Sequence, residues 1–454
     1  MRAFLNKTKP WIFLWLFGLL NVCSLKAALF NPKTFSLENG LKVVVIENHR
    51  APLVTQMIWY KVGSADDPHD AKGVAHYLEH LMFKGPEGSA SQEFSKILNR
   101  MGGTFNASTG PDATNYYVTV AADKLDLVMK LEAERMSSLV ILDEQAIPEL
   151  DVILEERKTR YETDPFGKFH ESLRASWFWN HPYRHPGIGW ESDIKSLTPQ
   201  KAREFYKNWY GPNNAILIIA GDVTFEEVQK RAKKYFGLLP ARPLLVRKRE
   251  PEPSHRDIEE TMILRSHDVL QPYYILALPK PIFKKDLKTS YAAQVLSYIL
   301  TNGPTSLFYK TLIEEKRLAS SVSFDYDGYC LDPDYALLSA QPNPGKTIAA
   351  VEEAAEKEIN KILKEGISSQ EVKKAKDRML AGLAYLRDSA LGGAFELGAA
   401  LVIDMPLEEI ENWPERIKAV TAEDVNAAMR MTFGSKRKIK GYLLAEKTDE
   451  KKHD

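Results

Sequence analysis

The sequence predicts an α+β protein built of two homologous α/β domains, each an antiparallel-rich sheet packed with helices. Three observations carry that prediction. Short β-branched or alternating runs that read as strands are interleaved with long stretches of helical apolar spacing. A pattern in mid-chain returns at the end: Thr198 precedes Ile216 of the run Ala215–Ala220 by eighteen residues, and Thr421 precedes Ile439 of the run Ile439–Ala445 by the same eighteen. Between the copies, Pro240 to His255 is proline-rich, charged and aperiodic, as linkers are. The units are therefore read as 29–240 and 261–454, joined by a linker over 241–260.

Composition narrows the function. At 454 residues the chain exceeds one core, and 44% hydrophobic with 27% charged residues is ordinary for a folded protein. Lys+Arg and Asp+Glu are both 61, which argues against nucleic acid as a general partner. Two cysteines, Cys23 and Cys330, cannot make a disulfide scaffold. Residues 1–28 read as a secretory signal: Arg2, Lys7 and Lys9 precede the apolar run Trp11–Leu20, and Ala27-Ala28 offers a cleavage site. The expectation is an exported, periplasmic protein with no membrane span once the signal is removed; retained, the segment would act as a tether.

In chain order, Asn39-Gly40 marks a hairpin turn between two short strands, and Val54–Val62 is a third strand. A turn follows, with Asp70 placed to lead into a helix. That helix carries His76-Tyr-Leu-Glu79-His80, the H-x-x-E-H inversion of a zinc-peptidase motif. Offsets of i, i+3 and i+4 put the three side chains on one helix face. Two neutral imidazoles then hold one Zn²⁺, and the carboxylate between them points at a water the metal activates. With only ten histidines in the chain, a chance match is rare.

Ser89 to Gln92 resembles a capping box, and Gly102-Gly103 ends the helix it opens. Thr104 to Val120 reads as strands around a turn, and Ala122–Leu139 and Asp143–Tyr161 as helices. The second of these helices offers Glu144, Glu149, Glu155, Glu156 and, just beyond it, Glu162 as a third ligand, and spacing alone does not choose among them.

Together His76-Tyr-Leu-Glu79-His80, Gly102–Thr109 and Glu149–Glu156 resemble the pitrilysin family of inverted-motif zinc metallopeptidases, which includes the β subunit of mitochondrial processing peptidase. The resemblance runs over nearly the whole mature chain, and here points to a bacterial exported member. It implies a processing-peptidase-like fold, one Zn²⁺ per chain and endopeptidase activity on extended or unfolded peptides, with Glu79 as general base. It implies Glu156 as the third ligand beside His76 and His80, and a supporting role for Glu149. It also implies that Phe105, Asn106 and Ala107 form a sheet edge to which the substrate adds as a strand. His181 and His185 are read as structural.

One departure stands out. Active single-chain relatives carry an Arg and a Tyr seven residues apart in the second unit, where this chain has Ile313 and Ser320; Arg317 and Tyr326 are out of register. The expected partner is a homologous, metal-free subunit supplying that pair, with a homodimer otherwise. The alternative class is a non-catalytic core subunit of the same fold.

Overall fold

The structure, a computed structural model, describes residues 29–85, 88–253 and 257–446. The signal segment, with Cys23, lies outside the described residues. Cys330 is free and buried.

The first sheet contains β1 (Lys33–Ser36), β2 (Lys42–Glu47), β3 (Leu53–Tyr60), β4 (Thr104–Thr109), β5 (Thr114–Ala121) and β6 (Ala215–Gly221), in the order β1-β2-β6-β3-β5-β4. The second contains β7 (Glu259–Ser266), β8 (Tyr273–Pro279), β9 (Ala319–Asp325), β10 (Tyr335–Pro342) and β11 (Lys438–Ala445), in the order β7-β11-β8-β10-β9. Leave out β1 and the orders coincide strand for strand. Each sheet has one parallel pair, β2 with β6 and β7 with β11, and is otherwise antiparallel. The repeat seen in the sequence is thus a repeat of topology, and the fold is the predicted two-domain α+β type.

Local chemistry explains the boundaries. Gly40, at φ 88°, closes the β1–β2 hairpin, where Ser36 pairs with Lys42. Thr198 and Thr421 each cap their helices, Pro199–Trp209 and Ala422–Phe433, by accepting from the backbone N–H three residues on. β6 is buried along its whole length, so both faces of the sheet centre are covered.

The two halves exchange helices. Pro165–Trp177, from the first half, lays Phe169, Leu173 and Trp177 against Ile275, Ala277, Ile439 and Leu443 of the second sheet. Ala390–Val402, from the second half, lays Ala394, Leu397 and Leu401 against Val44, Ile46, Met57, Trp59 and Ile218 of the first. Close approach is achieved through Gly398, where a Cβ would fall 2.0 Å from the Trp59 indole. Each fully buried large side chain contributes about 1.5–3 kcal/mol of transfer free energy, so this exchange binds the halves firmly.

The segment read as a linker is docked. Residues 240–258 lack regular structure where described, but the Arg249 side chain is only 8% exposed and bonds Asp66 (2.9 Å), Asp112 (2.5 Å) and Asp332 (2.9 Å). Asp66 and Asp112 belong to the first half and Asp332 to the second. Glu259 and Glu260, placed in the linker from sequence, open β7. Among the described residues no helix is long and apolar enough to cross a membrane.

Candidate metal centre

The motif helix, Val74–Leu81, is short and buried on most sides. Asp67 starts it: its two carboxylate oxygens accept from Gly73 N (2.7 Å) and Ala75 N (3.0 Å), satisfying amides that a helix end leaves free. Asp70, expected in that place, is exposed and instead meets Lys201. Gly73 sits at φ 88°, and a Cβ there would lie 2.5 Å from the Ile188 carbonyl, so glycine is required twice over. Tyr77 O–H donates to Ala146 O (2.6 Å), which locks the motif helix to the glutamate helix Asp143–Arg157.

That lock sets the donors. Ligand-type atoms of His76, His80 and Glu156 lie within 4.8 Å of one another. Glu156 Oε1 is 3.7 Å from His76 Nε2, and Oε2 is 3.2 Å from His80 Nε2. Glu155, its neighbour, is turned to solvent beside Lys158. One heptad earlier, Glu149 is buried; its Oε1 lies 2.9 Å from His80 Nδ1 and its Oε2 accepts from Lys84 Nζ at 2.7 Å. Seven residues is nearly two helical turns, which puts Glu149 and Glu156 on one face. Beyond Arg157 the helix widens into a π-type turn over Lys158–Glu162, and Arg160 of that turn pairs with Glu156 Oε1 at 2.8 Å.

Electrostatics fit a cation. Burial pushes His76 down to about 4, the neutral form a metal ligand needs. Burial opposes the charge on His80 too, but hydrogen bonds to Glu149 and Glu156 outweigh it and raise His80 to about 9. Burial also opposes ionisation of Glu149, yet His80 and Lys84 hold it below the usual carboxylate range. Glu156 is held low chiefly by its bond to His80. Two imidazoles and a carboxylate converging, with one imidazole backed by a second carboxylate, are a set of donors that could hold a metal ion, of the kind zinc sites use.

Glu79 lies on the same helix face, and Thr109 Oγ1 donates to its Oε2 at 2.5 Å. Burial raises its pKa, and the threonine tempers that rise. Thr109 ends β4, and alternation puts Phe105, Ala107 and Thr109 on its inward face. The Phe105 ring packs near Phe83 (5.9 Å) and Phe94, while Asn106 is exposed and its Oδ1 accepts from Ala107 N (2.9 Å). β4 is an edge strand of its sheet, paired among the described residues only with β5. In the sequence Thr109 is marked only by its place in the Gly102–Thr109 stretch and on the inward register of β4, neither of which names it as the partner of Glu79.

The remaining expectations also find places. His181 Nε2 lies 3.3 Å from Asp332, and His185 Nδ1 accepts from Trp190 Nε1 at 2.8 Å, so both brace loops. Ile313 packs against the second-half core, and Ser320 lies exposed on β9.

Known proteins share this fold and family. The family described as Insulinase (Peptidase family M16) matches residues 42–186, and that described as Peptidase M16 inactive domain matches 196–379. Zinc protease PqqE of Helicobacter pylori is 31% identical over 360 residues, covering 78% of this chain and 80% of its own. A protein of Bacillus subtilis named an uncharacterized zinc protease, YmxG, is 24% identical over 88% of this chain and 95% of its own. The crystal structure of a protease from Helicobacter pylori superposes with a TM-score of 0.84 at 28% identity, over 91% of this chain and 99% of that one. Pitrilysin shares the fold at 19% identity and a TM-score of 0.74, with 91% of this chain covering 45% of that longer one. Matched by both family descriptions in succession, and aligned with a named zinc protease over four fifths of that protein's length, this chain belongs to peptidase family M16.

Proposed function

We propose that the chain is a zinc-dependent endopeptidase acting on extended or unfolded peptides. The observation that carries this reading is the convergence of His76, His80 and Glu156 beside a buried, threonine-bonded Glu79. His76, His80 and Glu156 would hold one Zn²⁺, with Glu149 orienting His80 through Nδ1. Zinc supplies Lewis-acid activation of water and of the scissile carbonyl.

The chain's own groups do the rest. Glu79 takes a proton from the attacking water and later returns it to the leaving amine. Its raised pKa suits a group that must both accept and give the proton, and Thr109 fixes which way the carboxylate faces. An extended peptide adds to the open side of β4 at Phe105, Asn106 and Ala107, displacing the Asn106 oxygen from Ala107 N–H. Such pairing reads backbone conformation, which favours unfolded substrates.

Ile313 and Ser320 cannot supply the hydrogen bonds expected of an Arg/Tyr pair. We propose that a homologous metal-free subunit provides them, and that the chain works outside the cytoplasm as the metal-bearing partner. Pitrilysin, about twice as long in the superposition, has room for both units in one chain. Elemental analysis with a peptide assay tests the reading: one zinc per chain, cleavage lost with chelator and restored by zinc. A purified, folded chain that takes up no zinc contradicts it.

A further inference from the structure

A cavity of about 320 Å³ opens beside His76, walled by both halves of the molecule. Its lining is lopsided. Two guanidiniums, Arg160 and Arg174, face it with the imidazoles of His76, His170 and His185, which burial keeps neutral, against a single carboxylate, Glu171. Both Glu171 oxygens are already occupied by Arg157, at 2.7 and 3.1 Å. Arg160 has Glu156. Arg174 has no carboxylate within ion-pair distance among the described residues: its Nη1 donates to the Tyr183 carbonyl at 3.1 Å, and its guanidinium lies 5.7 Å from the centre of the Tyr335 ring. The nearby Asp334 is paired with Lys280 at 3.2 Å.

A guanidinium held in a cavity wall by neutral hydrogen bonds, with no carboxylate in direct contact and the nearby Asp334 bonded to Lys280, presents its fork to a planar anion. The helix that carries it, Pro165–Trp177, is the one clamped onto the second sheet, so its position is fixed by Phe169, Leu173 and Trp177 rather than by a mobile loop. The cavity begins at a proposed metal ligand, and Thr109, the partner of Glu79, is also in its wall. Whatever fills it is therefore joined to the scissile bond by a short stretch of chain.

We propose that this cavity is a specificity subsite that receives a carboxylate of the peptide substrate on Arg174, with Arg160 adding to the positive field and the neutral His170 imidazole lining the wall. This deepens the peptidase reading and rests on it for the orientation of the substrate. The carboxylate comes either from an Asp or Glu side chain flanking the scissile bond or from a free C-terminus close to it. Arg174 binds substrate here and takes no part in the proton transfers.

The test is equilibrium binding of labelled peptides to the full-length, zinc-loaded Glu79→Gln protein, which does not turn them over in this reading. Peptides are matched in pairs: Glu against Gln at each position around the cleaved bond, and a free against an amidated C-terminus. A charge-assisted hydrogen bond at a partly buried guanidinium favours the acidic member by at least about tenfold. Adding Arg174→Met should bring that ratio close to one, and Arg174→Lys should leave it in between, because lysine keeps the charge and loses the fork. The side-chain pair and the terminus pair separate the two sources of the carboxylate. Equal binding of acidic and neutral peptides overturns the proposal without any Arg174 variant being needed, as does a folded Arg174→Met protein that keeps the full preference. Selective binding with no cleavage by the wild-type protein upholds the subsite and removes the peptidase reading. Cleavage with no selectivity does the opposite.

Discussion

The two halves share one strand order and differ in what the helix beneath the sheet carries. In the first half it is Val74–Leu81, with His76 and His80 turned toward Glu149 and Glu156 of a second helix and Glu79 bonded to Thr109. In the second it is Leu287–Thr301, with Ala292, Val295, Leu296 and Ile299 filling the same kind of place with hydrocarbon, and no His or Glu in its length. Five aligned strands therefore do not make a site; the proposed one rests on five side chains. The second half instead contributes stability and shape, through the helix it lends to the first sheet and through Tyr335 in the cavity wall.

The comparison is broken most completely at Glu156. Glu156→Ala leaves two imidazoles, and we expect loss of stoichiometric zinc and of cleavage, making the first half as inert as the second; elemental analysis reads this directly. Glu149→Gln keeps the ligands but weakens the support of His80, and we expect zinc affinity to fall about 10–100-fold in a chelator competition.

Two further changes probe how the halves hold each other. Gly398→Val forces a side chain into the Trp59 indole, and we expect a loss on the order of 1–3 kcal/mol by denaturant unfolding. The smallest effect is reserved for Asp332, which hydrogen bonds from His181, and Arg249 beside it, hold at about 2. A depressed carboxylate stabilises the folded state above its unfolded pKa of about 3.9, and that contribution is lost as pH falls through about 2. Asp332→Asn should therefore lower the melting temperature slightly at pH 6 to 7, with the gap to wild type closing between about pH 4 and pH 2.

The contrast between the halves was largely legible in the sequence, because it rests on local spacing. The i, i+3, i+4 motif, the glutamate pair one heptad apart and the Thr-capped helices repeat over short distances that helix geometry fixes. What escaped was long-range. Asp67 rather than Asp70 starts the motif helix, because the turn folds back and brings the earlier carboxylate to the free amides. Glu155 and Glu156 were separable only through the family resemblance, since the rotation of their helix is fixed by Tyr77 bonding to Ala146. Nothing in the proline-rich composition of 240–258 announces that Arg249 plugs three aspartates. The exchanged helices are likewise invisible to periodicity: an apolar stripe on Pro165–Trp177 declares that it is buried, but not against which sheet.

The central claim is that the first half is a working peptidase centre with Glu79 moving the proton. It is tested most directly by zinc content and peptide cleavage measured side by side on the wild-type and Glu79→Gln proteins, assayed with whatever partner subunit activity requires. The account predicts about one zinc per chain in both and a fall in cleavage of about 10²–10⁴-fold in Glu79→Gln. Undiminished cleavage by a zinc-loaded Glu79→Gln protein would contradict it.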